Sequence, residues 1–125
     1  MTIFEGLLIA HVVGDWLLQT EWMALNKATD WRALIVHVLV YHAVMAAILI
    51  VGYPMEPGVV LLVVFALAVF HAILDRRRVT DWYMRAMRMV VNQAPPLWLR
   101  VAVDQALHVV SLAVAAALLQ QFAMP

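Results

Sequence analysis

Residues 58–75 read Gly-Val-Val-Leu-Leu-Val-Val-Phe-Ala-Leu-Ala-Val-Phe-His-Ala-Ile-Leu-Asp. Up to Phe70 no side chain in this run can form a hydrogen bond. As a helix rising 1.5 Å per residue the run reaches about 27 Å. Crossing the hydrocarbon core takes about 20 apolar residues, so the stretch predicts a membrane span. Its last turn then departs from the pattern with His71 and Asp75. Ionisable residues inside a span are costly and mark functional sites by default.

Three further stretches have the same character, near 3–20, 32–52 and 99–122, and each also holds imidazole or carboxylate. The first contains His11 and Asp15, the second His37, the last Asp104 and His108. Three of the four patterns set His and Asp four residues apart, which puts both side chains on one helix face, a turn apart. The expected fold is therefore all-α, a polytopic integral membrane four-helix bundle forming a single domain over 1–125. The turn Tyr53-Pro54-Met55-Glu56-Pro57 stops one span and starts the next, making the middle two antiparallel neighbours.

Composition supports this. Hydrophobic residues make up 66% of the chain and charged ones 13%, against roughly 45–50% apolar in soluble domains. Mean hydropathy is +0.92. The absence of cysteine removes disulfides, thiolate metal sites and thiol redox chemistry. Net charge is zero, and nucleic acid is not an expected partner. Met1-Thr2-Ile3-Phe4-Glu5 lacks the basic start of a cleaved signal, so the first span reads as retained.

All eight basic residues lie in or beside the first and third connections. By the positive-inside rule those connections face the cytoplasm and both termini face out. Trp16, Trp22, Trp31, Trp82 and Trp98 gather toward the same boundary, as an interfacial belt does. Between spans three and four, residues 78–92 read as an amphipathic helix. Arg78, Asp81, Arg85, Arg88 and Asn92 share its polar face, with Val79, Trp82, Tyr83, Ala86 and Val90 opposite. Such a helix suits the membrane interface, with Arg78, Arg85 and Arg88 toward lipid headgroups.

Orientation brings the polar residues to one depth. Counted from the cytoplasmic ends, His11, Asp15, His37, His71, Asp75, Asp104 and His108 fall in one layer of the inner half of the bilayer. Three aspartates at low dielectric need compensation. One divalent cation leaves one negative charge, and two with a hydroxide leave none. Seven ligands exceed the four of tetrahedral zinc and suit two ions about 3.5–4 Å apart. Helical bundles build such centres from carboxylate and histidine. A single ion with aspartates behind its histidines, or a metal-free His–Asp network, are the alternatives. Haem gives three aspartates no role. Zinc is the default metal among those that accept mixed N/O ligands. Gln19 and Gln105 extend the stripes as outer or substrate contacts. His42 lies about 140° from His37 around the helix and is left out of the ligand set. Gly6, Ala10 and Gly14 form a small-residue ridge for close helix packing.

The motifs also carry a resemblance. His11-x-x-x-Asp15-Trp-Leu-Leu-Gln19-Thr, Glu21-Trp22-Met23 and Asn26-Lys27 resemble a family of small bacterial membrane proteins known as domain of unknown function 3307. His37-x-Leu39-x-Tyr41, His71-x-x-x-Asp75 and Asp104-Gln105-x-Leu107-His108 follow its pattern in order. His42 is a departure from it. The family implies a membrane protein but no activity. More loosely, the His-x-x-x-Asp elements are similar to those of membrane-bound metal-dependent hydrolases.

The functional expectation is a membrane-embedded metal centre that hydrolyses an amphipathic or lipid-linked substrate beside the basic interfacial helix. The alternatives are a metal-stapled accessory subunit of a larger complex, and an ion or proton transporter. Expected partners are the bilayer, such a substrate, and other membrane proteins or further copies of the chain.

Overall fold

The computed structural model describes residues 1–122; the last three residues of the expected domain lie outside the described ones. Every element among the described residues is helical: α1 (Ile3–Val12), α2 (Glu21–Asn26), α3 (Trp31–Gly52), α4 (Pro57–Asp75), α5 (Arg78–Ala86) and α6 (Leu97–Leu119). Local chemistry explains the starts. Thr2 and Glu5 form a reciprocal capping box on α1. Asp30 accepts from Arg32 N at 2.8 Å on α3. Glu56 accepts from Val59 N at 2.9 Å on α4, with Pro57 in its first turn.

Three helices, α3, α4 and α6, are long and apolar enough to cross a membrane. The first expected span is the exception. α1 runs into a single π-helical turn, Val13–Leu17, closed by Leu18 N to Val13 O at 2.9 Å, and Thr20 then caps α2. The helix expected to reach residue 20 therefore ends at Leu17. The fourth span begins at Leu97, right after Pro96, and ends at Leu119 rather than 122.

α1 and the three long helices pack in the ring order α1–α3–α4–α6, each against its two neighbours. Leu7, Ala10, Met45, Leu49, Leu112 and Leu119 fill the centre. The small-residue ridge packs as its composition predicts. A Cβ on Gly14 would lie 2.8 Å from Tyr41 Cδ2 and 3.0 Å from Tyr41 Cα, so α1 and α3 meet there at backbone distance. The surface inverts the pattern of a soluble protein. Val51 is 87% exposed and Phe65 69%, while His37 is wholly buried.

α5 is shorter than the expected 78–92. Met87 closes the last turn and Arg88 adopts a left-handed φ of 54°, a conformation costly for a residue with a Cβ and incompatible with helix continuation. Thr80 and Met84 dock α5 against the bundle, whereas Trp82 is exposed. Arg78, Arg85 and Arg88 are exposed.

Candidate metal centre

The polar residues of four helices meet where the π turn, the middle of α3, the end of α4 and the start of α6 converge. At the centre stands Lys27, which the sequence reading had placed among the basic residues of a connection. Its Nζ lies 3.0 Å from Asp15 Oδ1, 3.0 Å from Asp75 Oδ1 and 3.2 Å from His37 Nε2. The ammonium donates to Asp15, meets His37 in hydrogen-bond geometry and forms an ion pair with Asp75. The turn after α2 delivers the lysine. It is held by Arg76, which donates to Ala28 O at 3.2 Å and stacks over the Trp31 ring at 4.1 Å.

Around the lysine, His37 Nε2 lies 3.3 Å from Asp15 Oδ1 and 3.1 Å from Asp75 Oδ2, and His71 Nε2 lies 3.0 Å from Asp75 Oδ2. The two histidines touch through their Nε2 atoms at 3.1 Å. The Asp75 Oδ2 contacts have ion-pair length without hydrogen-bond alignment, so that oxygen remains unpartnered. A bare His37 Nε2 suits Lys27, whereas a protonated one suits the carboxylates. It satisfies one set at a time.

A second network runs through Gln105. Its Nε2 donates to Asp15 Oδ2 at 2.8 Å, while its Oε1 accepts from Trp16 Nε1 at 3.1 Å and meets His11 Nε2 at 2.9 Å. Because that oxygen only accepts, His11 Nε2 carries the proton, and its Nδ1 accepts from the Tyr41 hydroxyl at 3.0 Å. Both His11 nitrogens are thereby engaged within the protein. Gln105, expected as an outer or substrate contact, hydrogen-bonds to Asp15 and His11. Gln19 does not join the network, and its buried Oε1 has no partner.

Two sets of three buried ligands have donor atoms within 4.8 Å of one another: Asp15, His37 and His71, and His71, Asp75 and His108. Five of the seven expected ligands are thus brought together, with His71 in both sets. His11 and Asp104 fall outside them. Asp104 is partly exposed, lies 3.8 Å from His108 Nδ1, and accepts from Thr80 Oγ1 at 3.4 Å. Lys27, Tyr41, His42 and Thr80 are buried parts of the site that sequence reasoning missed. One signal pointed to the first: Lys27 is the only lysine among eight basic residues. A compact ammonium fits three converging acceptors where a planar guanidinium does not.

This geometry defines a class, that of helical proteins with helices long and apolar enough to cross a membrane around a buried His/Asp/Lys cluster. The chain belongs to the family described as protein of unknown function (DUF3307), whose profile matches residues 3–124. No curated protein and no solved structure matches it.

Proposed function

We propose that the chain is a four-helix integral membrane protein of the bacterial inner membrane that holds a zinc-type divalent cation in the cytoplasmic half of the bilayer. There it hydrolyses an amphipathic or lipid-linked substrate. The observation that carries this reading is the pair of three-ligand sets sharing His71, built from five buried side chains on four elements. Outward-facing Val51, Leu61 and Phe65 support a lipid surround. The arginines and tryptophans at one end support cytoplasmic connections and outward termini.

Lys27 changes the charge count. Asp15, Asp75 and Asp104 with one ammonium leave two negative charges, which a single divalent ion neutralises. Lys27 also fills the space between Asp15, Asp75 and His37. Both points favour one ion, toward His71 and His108, over the pair expected from ligand number. Such an ion supplies water acidified to a pKa of about 7. The chain's own residues hold the carboxylates, exclude bulk water and present the substrate path. A groove lined by Trp16, Trp98, Val101 and Gln105 opens beside the cluster, and Gln105 touches both the groove and Asp15. An amphiphile from the cytoplasmic leaflet has access there.

Elemental analysis and an absorption spectrum of protein purified in detergent test the reading. The expected result is one zinc per chain and no Soret band; native protein without bound metal sinks it. Lys27 between two carboxylates favours one rival, a transporter in which ammonium and a metal ion alternate. Zinc flux into proteoliposomes separates the two.

A further inference from the structure

One layer deeper than Lys27, a small cavity lies among His42, His71, His108, Tyr41 and Ser111, with Met45, Leu67 and Leu112 as its apolar walls. It leaves about 10 Å³ for the centre of a water-sized sphere, room for one atom. Its three histidines are each more than nine-tenths buried, and each has a nitrogen with no partner: His42 Nε2, His71 Nδ1 and His108 Nε2. Unpartnered buried nitrogens are costly. Three around one void call for a shared partner.

The other nitrogen of each ring identifies that partner. His42 Nδ1 meets Val38 O at 2.8 Å, and His108 Nδ1 meets Asp104 O at 2.8 Å. A carbonyl oxygen only accepts, so both Nδ1 atoms carry protons and both Nε2 atoms present lone pairs. His71 Nε2 has its aligned contact with His37 Nε2 at 3.1 Å and lies 3.0 Å from Asp75 Oδ2, and a proton held there leaves Nδ1 bare. Metal-binding histidines have this arrangement, with the far N–H turned to a carboxylate or backbone carbonyl. A water could donate to two of the lone pairs and would leave the third opposed by its oxygen. A cation satisfies all three.

We propose that this cavity is a three-histidine metal site, with His42 Nε2, His71 Nδ1 and His108 Nε2 as ligands and Asp75 orienting His71. It rests on the metal reading above and changes its ligand set. Three imidazoles on one tetrahedral zinc have ring centres about 5 Å apart, given bonds of 2.0–2.1 Å. The centroids lie 4.7 Å apart for His71–His108 and 5.3 Å for His42–His71; the His42 and His108 rings stand farther apart, and an ion between them would draw the third side closed. Three protein ligands leave a fourth position open for water, the arrangement of catalytic zinc. Lys27, Asp15 and His37 then form a charged neighbour that balances the ion without binding it.

Zinc titration of the full-length protein in detergent tests this. His42→Ala is expected to weaken zinc at least about 100-fold and Asp75→Asn about 10–100-fold, with Asp15→Asn and His37→Ala within a few-fold of wild type. Melting in chelator checks that each variant is folded. Should His42→Ala not fold, His42→Gln keeps the size without the imidazole. In copper-loaded protein its pulsed EPR spectrum should show two coupled imidazoles where the wild type shows three. Wild-type zinc affinity in both His42 variants overturns the inference and leaves the metal reading standing. So does loss of zinc in Asp15→Asn and His37→Ala alone. Wild-type protein that binds no zinc overturns both.

Discussion

Lys27 Nζ and Asp75 Oδ1 lie 3.0 Å apart with side chains 10% and 1% exposed, so the connection before α3 places a cation against the end of α4. Removing one partner of a buried pair strands the other charge, at a cost of about 3–5 kcal/mol. Lys27→Met should therefore lower the melting temperature in detergent sharply. Arg100→Ala, which breaks a half-exposed pair with Asp81 at 3.2 Å, should cost less than about 1 kcal/mol. Comparable losses in the two variants would contradict a central role for Lys27.

Zinc should stabilise the fold by mass action. At 100 times its dissociation constant the gain is about 2.7 kcal/mol, read as a rise in melting temperature that EDTA reverses. Magnesium, which prefers an all-oxygen octahedral shell, should give no comparable shift at the same concentration.

The contact of Gly14 with Tyr41 predicts a local packing requirement. Gly14→Ala adds a methyl where the Tyr41 Cα already stands 3.0 Å away. The two helices must part, at about 1–3 kcal/mol, and the Tyr41–His11 hydrogen bond lengthens. Gly52→Ala meets nothing within 4 Å and should be neutral or stabilising by up to about 1 kcal/mol. Thermal unfolding of the pair reads the difference.

Topology is open to labelling. Single cysteines at Thr2 and Glu56 should react with a membrane-impermeant maleimide on intact spheroplasts. A cysteine at Arg85 should react only after permeabilisation. Labelling of Arg85→Cys on sealed cells would reverse the orientation and with it the leaflet assigned to the substrate.

Much of this was legible along the chain because three of its helices are long apolar runs. The runs gave α3, α4 and α6 within a few residues, and the fourfold spacing paired His71 with Asp75 as found. What escaped depended on contacts between elements. Lys27 sits in a short connection, and nothing local says that Arg76 and Trp31 will fold it inward. His42 looked misplaced because one face was assumed for α3. That helix packs against both α1 and α4, so its buried side is wide enough for His37, Tyr41 and His42 together. The π turn left no apolar period to read, and α5 stopped early through backbone conformation at Arg88.

That π turn has a consequence for the numbering of the helix itself. Single π turns are frequent at functional sites, and each holds one residue more than an ordinary turn of the spiral needs. Asp15 sits within the widened turn, with Gly14 against Tyr41 and Trp16 outside. Deleting one residue from 13–17 would close the turn to an ordinary spiral and leave α2 near its present bearing. The residues inside the turn would share one place fewer, and Asp15 would lose the bulge that carries it to Lys27. Length here acts locally, one surplus residue serving a single carboxylate.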